Sequence, residues 1–505
     1  RRGVARCLSE LNDDELTFQF ALKCTFLYPQ DAVSALIAHD AAIRLADSKK
    51  ILYSGDTCLS MRSVSERIKY PEIAVCAIRE GMVDYANDLL TRRRMKLDIS
   101  GHRIRLGLHY FSGNFEETLS QLENTPLPHR ESDEMVTMGA LSLAKLGRFD
   151  DALEMCWSKI KSETEAEILE FSIRMIQEDK KRAYDTINEH YIRNGASLIG
   201  KEWLKDELEF TGIIGNPSEQ VKGSGLVSVI MTCHSWNDAL PLAINSIYKQ
   251  SYQEIELIFV DDHSDAESVK KYDDIFSSLS NGEIEVIRIR MSENSGTYAC
   301  RNEGIAVSSG KYVTFADSDD WNHPEKVERA VSRIDGGLHV TCGRYIRMGW
   351  DSMPIWNGIR FARFALSGMM ISRKAIEMIG VIFDERTRVS ADSEFWERAV
   401  ILLGKNRVRR SDFIEIFALE RSGSLTNSKG LELDWLGPSE SRRKYANGFR
   451  NFHEKLRRGE INWFDSEELD FPSLKNTFEN EGDIYSKRLR EMLDFSEELV
   501  IEVGG

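Results

Sequence analysis

"GKYVTFADSDDWNHPEK", residues 310–326, decides how this chain must be read. Tyr312 to Ala316 form a short apolar run of the kind that builds a buried strand. The next four residues set down three carboxylates, Asp317, Asp319 and Asp320, and a tryptophan and a proline follow soon after. Carboxylates this close repel one another unless positive charge sits among them. A strand that ends this way points to a site.

Upstream, the same grammar repeats. "LVSVIMT", "IELIFVDD" and "IEVIRIR" read as strands, and "ALPLAINSIYKQ", "AESVKKYDDIFSSL" and "GTYACRNEGIAVSS" read as helices. "PEKVERAVSRI" continues the alternation downstream. Strands alternating with helices of this length predict βαβ units and a mainly parallel sheet, with a domain core over about residues 226–425. In such a sheet the ligand crevice lies beyond the carboxyl ends of the strands. The polar clusters fall there: Thr232-Cys233-His234-Ser235, Asp261-Asp262-His263-Ser264 and Asp317-Ser318-Asp319-Asp320.

Two carboxylates flanking one residue can chelate a hard divalent cation such as Mg²⁺ or Mn²⁺, leaving positions open for phosphate oxygens. The charge that offsets the acid cluster is therefore expected to be a metal carrying a diphosphate. An EF-hand is the rival, since Glu328 stands twelfth from Asp317. It fails at positions five and six, where Trp321 and Asn322 stand and the loop requires a glycine at the sixth.

Residues 1 to about 205 contain no convincing strand and read as helices broken by short turns. "EGMVDYANDLL", "SGNFEETLSQL" and "LGRFDDALEMC" carry Gly81, Gly113 and Gly147, spaced 32 and 34 residues apart, and "QEDKKRAYDTI" is a weaker fourth copy. A helix–turn–helix period near 34 is the tetratricopeptide pattern; the alternative is an irregular helical bundle. The polar, glycine-rich segment 211–225 reads as a linker, and the part from 428 to 505 as a helical extension. The expected domains are thus 1–210, 226–427 and 428–505.

Composition agrees with a globular chain of two or three domains: 505 residues, 42% hydrophobic and 29% charged, with ten prolines and 34 glycines. A formal net charge of −16 argues against nucleic acid as the main partner. Eight cysteines lie far apart without a CxxC, which reads as reduced thiols and no zinc site. No apolar run reaches the roughly 18 residues needed to span a bilayer, and the opening residues lack the apolar stretch of a signal peptide. The expectation is a soluble protein of the cytoplasm, or one peripheral at the inner face of the membrane.

From Val227 to Thr426, about 200 residues, the chain resembles the family 2 glycosyltransferases of the GT-A fold. The resemblance rests on five stretches in order: "VSVIMTCHSWNDALPLAINSIYKQSY", "ELIFVDDHSDA", "ENSGTYACRNEGIAVSSGKYVTFADSDDW", "FDERTRVSADSEFWERA" and "LERSGSLTN". It implies an inverting, metal-dependent transfer from a nucleotide-sugar, most simply a UDP-sugar, to a hydroxyl of a bacterial polysaccharide or other glycoconjugate. Thr232 and His234 would line the nucleobase pocket, with Asp262 accepting from the base and Asp261 near the ribose. Arg301 and Asn302 would lie beside the nucleotide-sugar. Asp317 would contact ribose or metal, and Asp319 would be the principal ligand of Mn²⁺ or Mg²⁺. Asp392 would be the general base, with Trp396 packed behind it and Glu394 next in line. The helical region would handle acceptor, self-association or a protein partner.

Some positions depart from the family pattern. The Pro-Thr-Tyr-Asn ending of strand one is Thr232-Cys233-His234-Ser235, so a histidine replaces a stacking aromatic. Ala391 stands where a Glu usually precedes the base, and "LERSGSLTN" lacks a histidine that some relatives place on the metal. Plainer roles compete at single residues. Asp262 and Asp392 could be helix N-caps, Arg301 a structural salt-bridge residue, Cys233 and Cys300 buried small residues, and Trp321 packing. Two other functions compete as well: a nucleotide-binding scaffold whose repeats dock proteins, and a nucleotidyltransferase. The latter would want a Gly- and Lys-rich loop where "TCHSWNDA" stands.

Overall fold

A computed structural model describes residues 14–27, 32–59, 70–91, 97–201, 210–278, 284–421, 424, 428 and 431–461. The tail after 461 and most of "SGSLTN" lie outside the described residues.

Helices α1 (Asp14–Leu27), α2 (Ala32–Leu45) and α3 (Ser48–Leu59) precede a series of helical hairpins. These are α4 (Tyr70–Arg79) with α5 (Val83–Thr91), α6 (Ile99–Phe111) with α7 (Phe115–Glu123), α8 (Asp133–Lys145) with α9 (Phe149–Lys159), and α10 (Glu163–Ile176) with α11 (Lys180–Arg193). Gly81, Gly113 and Gly147 make the turns at φ +79°, +77° and +78°. The next amide in each case reaches back five residues: Met82 to Ala77, Asn114 to His109 and Arg148 to Leu143. This closure needs a left-handed residue, which glycine adopts without a Cβ penalty. The fourth hairpin closes identically, Asp179 to Arg174, but with Glu178 at φ +63°. The fourth copy therefore keeps the geometry and loses the glycine that made the others legible.

The expectation of no strand before residue 205 fails at β1 (Ile199–Lys201), which pairs antiparallel with β2 (Ile213–Gly215). Segment 211–225 is also no free linker. Ile213 is buried, Val221 bridges to Tyr252, and the Tyr252 hydroxyl accepts from the Ser224 amide while donating to the Gly225 carbonyl.

The α/β part has the GT-A architecture. Its elements are β3 (Val227–Cys233), α12 (Leu240–Tyr248), β4 (Ile255–Asp261), α13 (Ala266–Ser278), β5 (Glu285–Arg290), α14 (Thr297–Val307), β6 (Tyr312–Asp317), β7 (Asp320–Asn322), α15 (Lys326–Asp335), β8 (Val340–Met348), β9 (Ala362–Phe364), β10 (Met370–Ser372), α16 (Arg373–Ile379), α17 (Ala391–Leu403) and β11 (Val408–Leu419). The sheet order is β5-β4-β3-β6-β10-β8-β11-β7, with β9 beside β8. The first four strands are parallel, as the alternation predicts. Beyond β6 the sheet is mixed, since β10 runs antiparallel to both neighbours and β7 antiparallel to β11. β3 and β4 are buried throughout, because helices cover both faces. β5 lies at the edge and is at most partly buried along its length.

The helical region and the sheet share one apolar core. Leu141, Leu169, Phe171 and Tyr191 from the hairpins pack in the same cluster as Ile346, Phe413 and Phe417 from β8 and β11. The Tyr191 ring stacks on His323 at 4.6 Å, and the Ile414 amide donates to His190 Nε2 at 3.2 Å. After β11 come β12 (Leu433–Asp434), β13 (Gly437–Pro438) and α18 (Glu440–Arg457). This segment ties both halves together. Arg79 donates to Asp434 and the Gly437 carbonyl, and Arg103 donates to the Trp435 carbonyl. Tyr445, Phe449 and Phe452 pack into the core that holds Phe395 of α17. No helix among the described residues is long and apolar enough to cross a membrane.

Candidate active site

The strand ends frame one cavity of about 490 Å³. Thr232, His234, Asp262, Arg301, Asp317, Asp319 and Asp392 all line it. Thr232, Asp262 and Asp317 meet because β3, β4 and β6 are adjacent and parallel, so their carboxyl ends share one edge. Three non-glycine residues with positive φ stand in the surrounding turns: Ser235, His263 and Ser390 at +68°, +59° and +69°. Backbone strain of this kind gathers where turns are shaped for function.

On the β3 side, His234 Nδ1 lies 2.7 Å from the Asp262 carbonyl, and its Nε2 lies 3.1 Å from Asn294 Nδ2. Both contacts are satisfied by one tautomer, with Nδ1 donating and Nε2 accepting. The Asp262 carboxylate accepts the amides of Ser295 at 2.7 Å and Gly296 at 2.9 Å. It thereby fixes the loop leading into α14. Asp262 does not cap the helix that follows it in sequence; Asp265 accepts from the Ser268 amide there.

Two expected ligands are placed elsewhere. Asp261 accepts the Ser264 amide at 2.9 Å, faces Arg290 at 3.7 Å, and does not line the cavity. Asn302 spends its amide on the 383 loop: Nδ2 donates to the Phe383 carbonyl at 2.9 Å and Glu385 at 2.8 Å, and Oδ1 accepts the Phe383 amide at 3.2 Å. Both residues position backbone, because their polar atoms are taken up by neighbouring turns.

Protein cations surround the acid cluster. Arg301 Nη2 donates to Asp317 Oδ1 at 2.7 Å, and Arg421 Nε donates to Asp319 Oδ2 at 2.8 Å. Arg301 is itself buried, its guanidinium 5.2 Å from the Phe315 ring centre. Beneath the strand ends the buried Lys326 ammonium donates to the Phe315 carbonyl and to Asn322 Oδ1. Burial pushes the Asp319 carboxyl above the usual range; Arg421 opposes the shift and Asp317 adds to it. Burial pushes Asp320 higher still, with Asp319 and Asp317 adding to it. Burial and mutual repulsion thus outweigh the nearby arginines at these two carboxyls.

Asp392 enters from the opposite side, in the first turn of α17. Ser390 is the residue at the cap, so Asp392 does not hold the N-cap position. One Asp392 oxygen accepts the Tyr298 hydroxyl at 3.2 Å and the Ser393 amide at 2.9 Å. Trp396, one turn on, is buried in the core. Glu394 is fully buried and committed. Arg398 Nε donates to it at 2.8 Å, and His453 Nε2 lies 3.0 Å away. It cannot serve as an alternative base without breaking that network. Cys233 and Cys300 are buried, and Trp321 stacks on Phe417 at 5.2 Å, as packing residues do. Sequence reasoning missed Arg347, Arg363 and Arg442, which also line the cavity. The alternation of Tyr345 and Arg347 along β8 was the signal available for one of them.

Residues 228–393 match the model described as glycosyl transferase family 2. Among similar proteins, an uncharacterized glycosyltransferase of Haemophilus influenzae is 34% identical over 121 residues, which are 24% of this chain and 47% of that protein. The putative teichuronic acid biosynthesis glycosyltransferase TuaG of Bacillus subtilis is 32% identical over 26% of this chain and 50% of its own length. The UDP-Glc:alpha-D-GlcNAc-diphosphoundecaprenol beta-1,3-glucosyltransferase WfaP of Escherichia coli is 22% identical over 41% of this chain and 82% of its own. The chain spans less than half the length of the first of these relatives. Among solved structures, Staphylococcus aureus TarS aligns over 48% of this chain and 46% of its own, at 18% identity and a TM-score of 0.32. The family 2 region ends just past Asp392, so β11, Arg421 and α18 lie outside the match.

Proposed function

We propose that the chain is an inverting glycosyltransferase that moves a sugar from a UDP-sugar, with a divalent metal, to a hydroxyl of a glycan or glycoconjugate. The observation that carries this reading is the convergence of Thr232, Asp262, Asp317, Asp319 and Asp392 on one cavity. The donor named for WfaP, UDP-Glc, supports the choice of nucleotide.

Asp317 and Asp319 fit a metal. They offer oxygen donors at the mouth of one cavity, which suit Mg²⁺ or Mn²⁺. Among the described residues no three His, Cys, Asp or Glu side chains converge on one point that could hold an ion. The remaining positions would fall to diphosphate oxygens. When bound, the ion would supply Lewis-acid neutralisation of the leaving diphosphate, worth several kcal/mol. Thr232 and Asp262 hold the nucleoside end, and Arg301 keeps Asp317 in place. Arg421, released from Asp319, is free to meet the departing phosphate. Asp392 takes the proton from the acceptor hydroxyl as it attacks the anomeric carbon, and Tyr298 orients that carboxylate.

The test is donor turnover over a panel of nucleotide sugars, with Mn²⁺ or Mg²⁺ and with chelator, beside UDP binding by calorimetry. We expect turnover with a UDP-sugar only when metal is present. Asp319→Ala should abolish turnover and weaken metal-dependent UDP binding by roughly tenfold or more, the scale of a lost charge contact. Full turnover in chelator would remove the metal from the reading. UDP binding without turnover of any donor would favour the scaffold alternative.

A further inference from the structure

The proposed transfer leaves one wall of the cavity without a role. Tyr345 and Arg347 are two residues apart on β8 and so share a sheet face, and β9 sets Arg363 directly opposite Tyr345. All three line the cavity. Arg442 of α18 completes the wall. Its Nε donates to the Leu431 carbonyl at 2.7 Å and its Nη1 to Ser390 Oγ at 3.2 Å, which anchors it beside the loop that carries Asp392.

None of these guanidiniums makes a close ion pair, although Glu420 and Asp320 act on Arg347 and Asp392 acts on Arg442. Arg301 and Arg421 meet Asp317 and Asp319 at 2.7 and 2.8 Å, whereas Arg347 reaches Glu420 only at 3.7 Å. Arg363 and Arg442 form no salt bridge with any described residue. Burial disfavours the charge on Arg442 most; Tyr298 and Asp392 favour it, and Arg347 opposes it. In a chain of net charge −16, cations gathered this way around a cavity make an anion site. Planar guanidinium forks favour phosphate-type anions, which they bind bidentately. The wall adjoins Asp392, where an acceptor must lie. The donor's diphosphate belongs at Asp317 and Asp319, and Arg347, which also acts on Asp320, stands nearest to it.

We propose that Arg347, Arg363 and Arg442 bind a phosphate group on the acceptor, placed beside the hydroxyl that Asp392 deprotonates. The proposal rests on the transferase reading. It names the acceptor class as a phosphate-bearing polyol or glycan, or a lipid with a phosphate headgroup.

The full chain, saturated with UDP and Mn²⁺, is titrated with glycerol 3-phosphate and separately with glycerol. The phosphate probe should bind at least about tenfold tighter, and Arg363→Gln and Arg347→Gln should each lose about tenfold of that affinity while UDP affinity stays within twofold. Co-sedimentation with phosphatidylglycerol vesicles, abolished by Arg363→Gln, would support the proposal with a lipid as source. Binding of the soluble probe alone would support it with a polymer as source. Equal, weak binding of both probes would overturn the proposal, and so would displacement of UDP by glycerol 3-phosphate, which would return the arginines to the donor. If the wild type fails to bind UDP, the transferase reading falls, and the same titration without UDP still reads the arginine wall directly.

Discussion

Asp392 and Glu394 stand two residues apart and meet opposite fates. Asp392 faces the cavity with Tyr298 on one oxygen, while Glu394 is buried against Arg398 and His453. Asparagine at 392 keeps the oxygen that Tyr298 and the Ser393 amide use but takes no proton at neutral pH. Asp392→Asn is therefore expected to lose roughly 10²-fold or more in transfer, with UDP binding and thermal stability near wild type. Near-normal turnover in a folded variant would remove Asp392 as the base. Glu394→Gln should do the reverse and lose stability by roughly 3–5 kcal/mol, since it leaves Arg398 buried without its partner. The Glu394 carboxyl is held below the usual range by Arg398 and His453, which outweigh its burial. A depressed carboxylate contributes stability above its unfolded pKa, and loses it as pH falls through the folded value. The stability gap between wild type and Glu394→Gln should accordingly narrow below about pH 4, read from denaturant midpoints. A constant gap down to pH 3 would show that the charge is not what stabilises the network.

At the scale of elements, the helical hairpins use one turn with different residues. Glycine closes three of them, and Glu178 closes the fourth at φ +63°. A side chain in that conformation costs roughly 1–2 kcal/mol, part of which glycine would return as unfolded-chain entropy. Glu178 is exposed, so little else depends on it. Glu178→Gly is expected to raise stability by about 0.5–1 kcal/mol, visible as a rise in midpoint denaturant. A loss would mean that the carboxylate has a role beyond the turn. β6 is an element under a different demand. Tyr312 to Ala316 are buried on both faces, and the chain then emerges at Asp317. The strand anchors rigidly what its end presents to the cavity.

The whole molecule behaves as one packed body across its seam. Tyr191, Phe171 and Leu169 of the hairpins bury the same apolar surface as Phe413 and Phe417 of β11. Ser197 donates from its amide to Glu325, and Arg329 donates to the Gly195 carbonyl. A chain that begins at Gly223 would expose this face of the sheet to water. It is expected to aggregate, or to elute as a misfolded species on size-exclusion chromatography. A monomeric, cooperatively folding fragment that still binds UDP would show that the helical region is dispensable for the sheet.

"YVTFADSDDW" and the polar residues after β3 and β4 were readable because strand periodicity and composition are local properties, and the strand-end rule then places those residues at one crevice. The alternation from Leu226 onward fixed the fold class for the same reason, and three turn glycines fixed the hairpins. Asp261 and Asn302 could not be told from site residues by sequence, because whether a polar side chain meets solvent or a backbone turn depends on neighbours far along the chain. The same holds for Glu394, whose partner His453 lies 59 residues away. Arg347, Arg363 and Arg442 reach one wall only because β9 pairs with β8 and α18 packs back against α17. Charge placed around a cavity by long-range pairing leaves no periodic trace in the sequence, so only the tertiary structure could gather it.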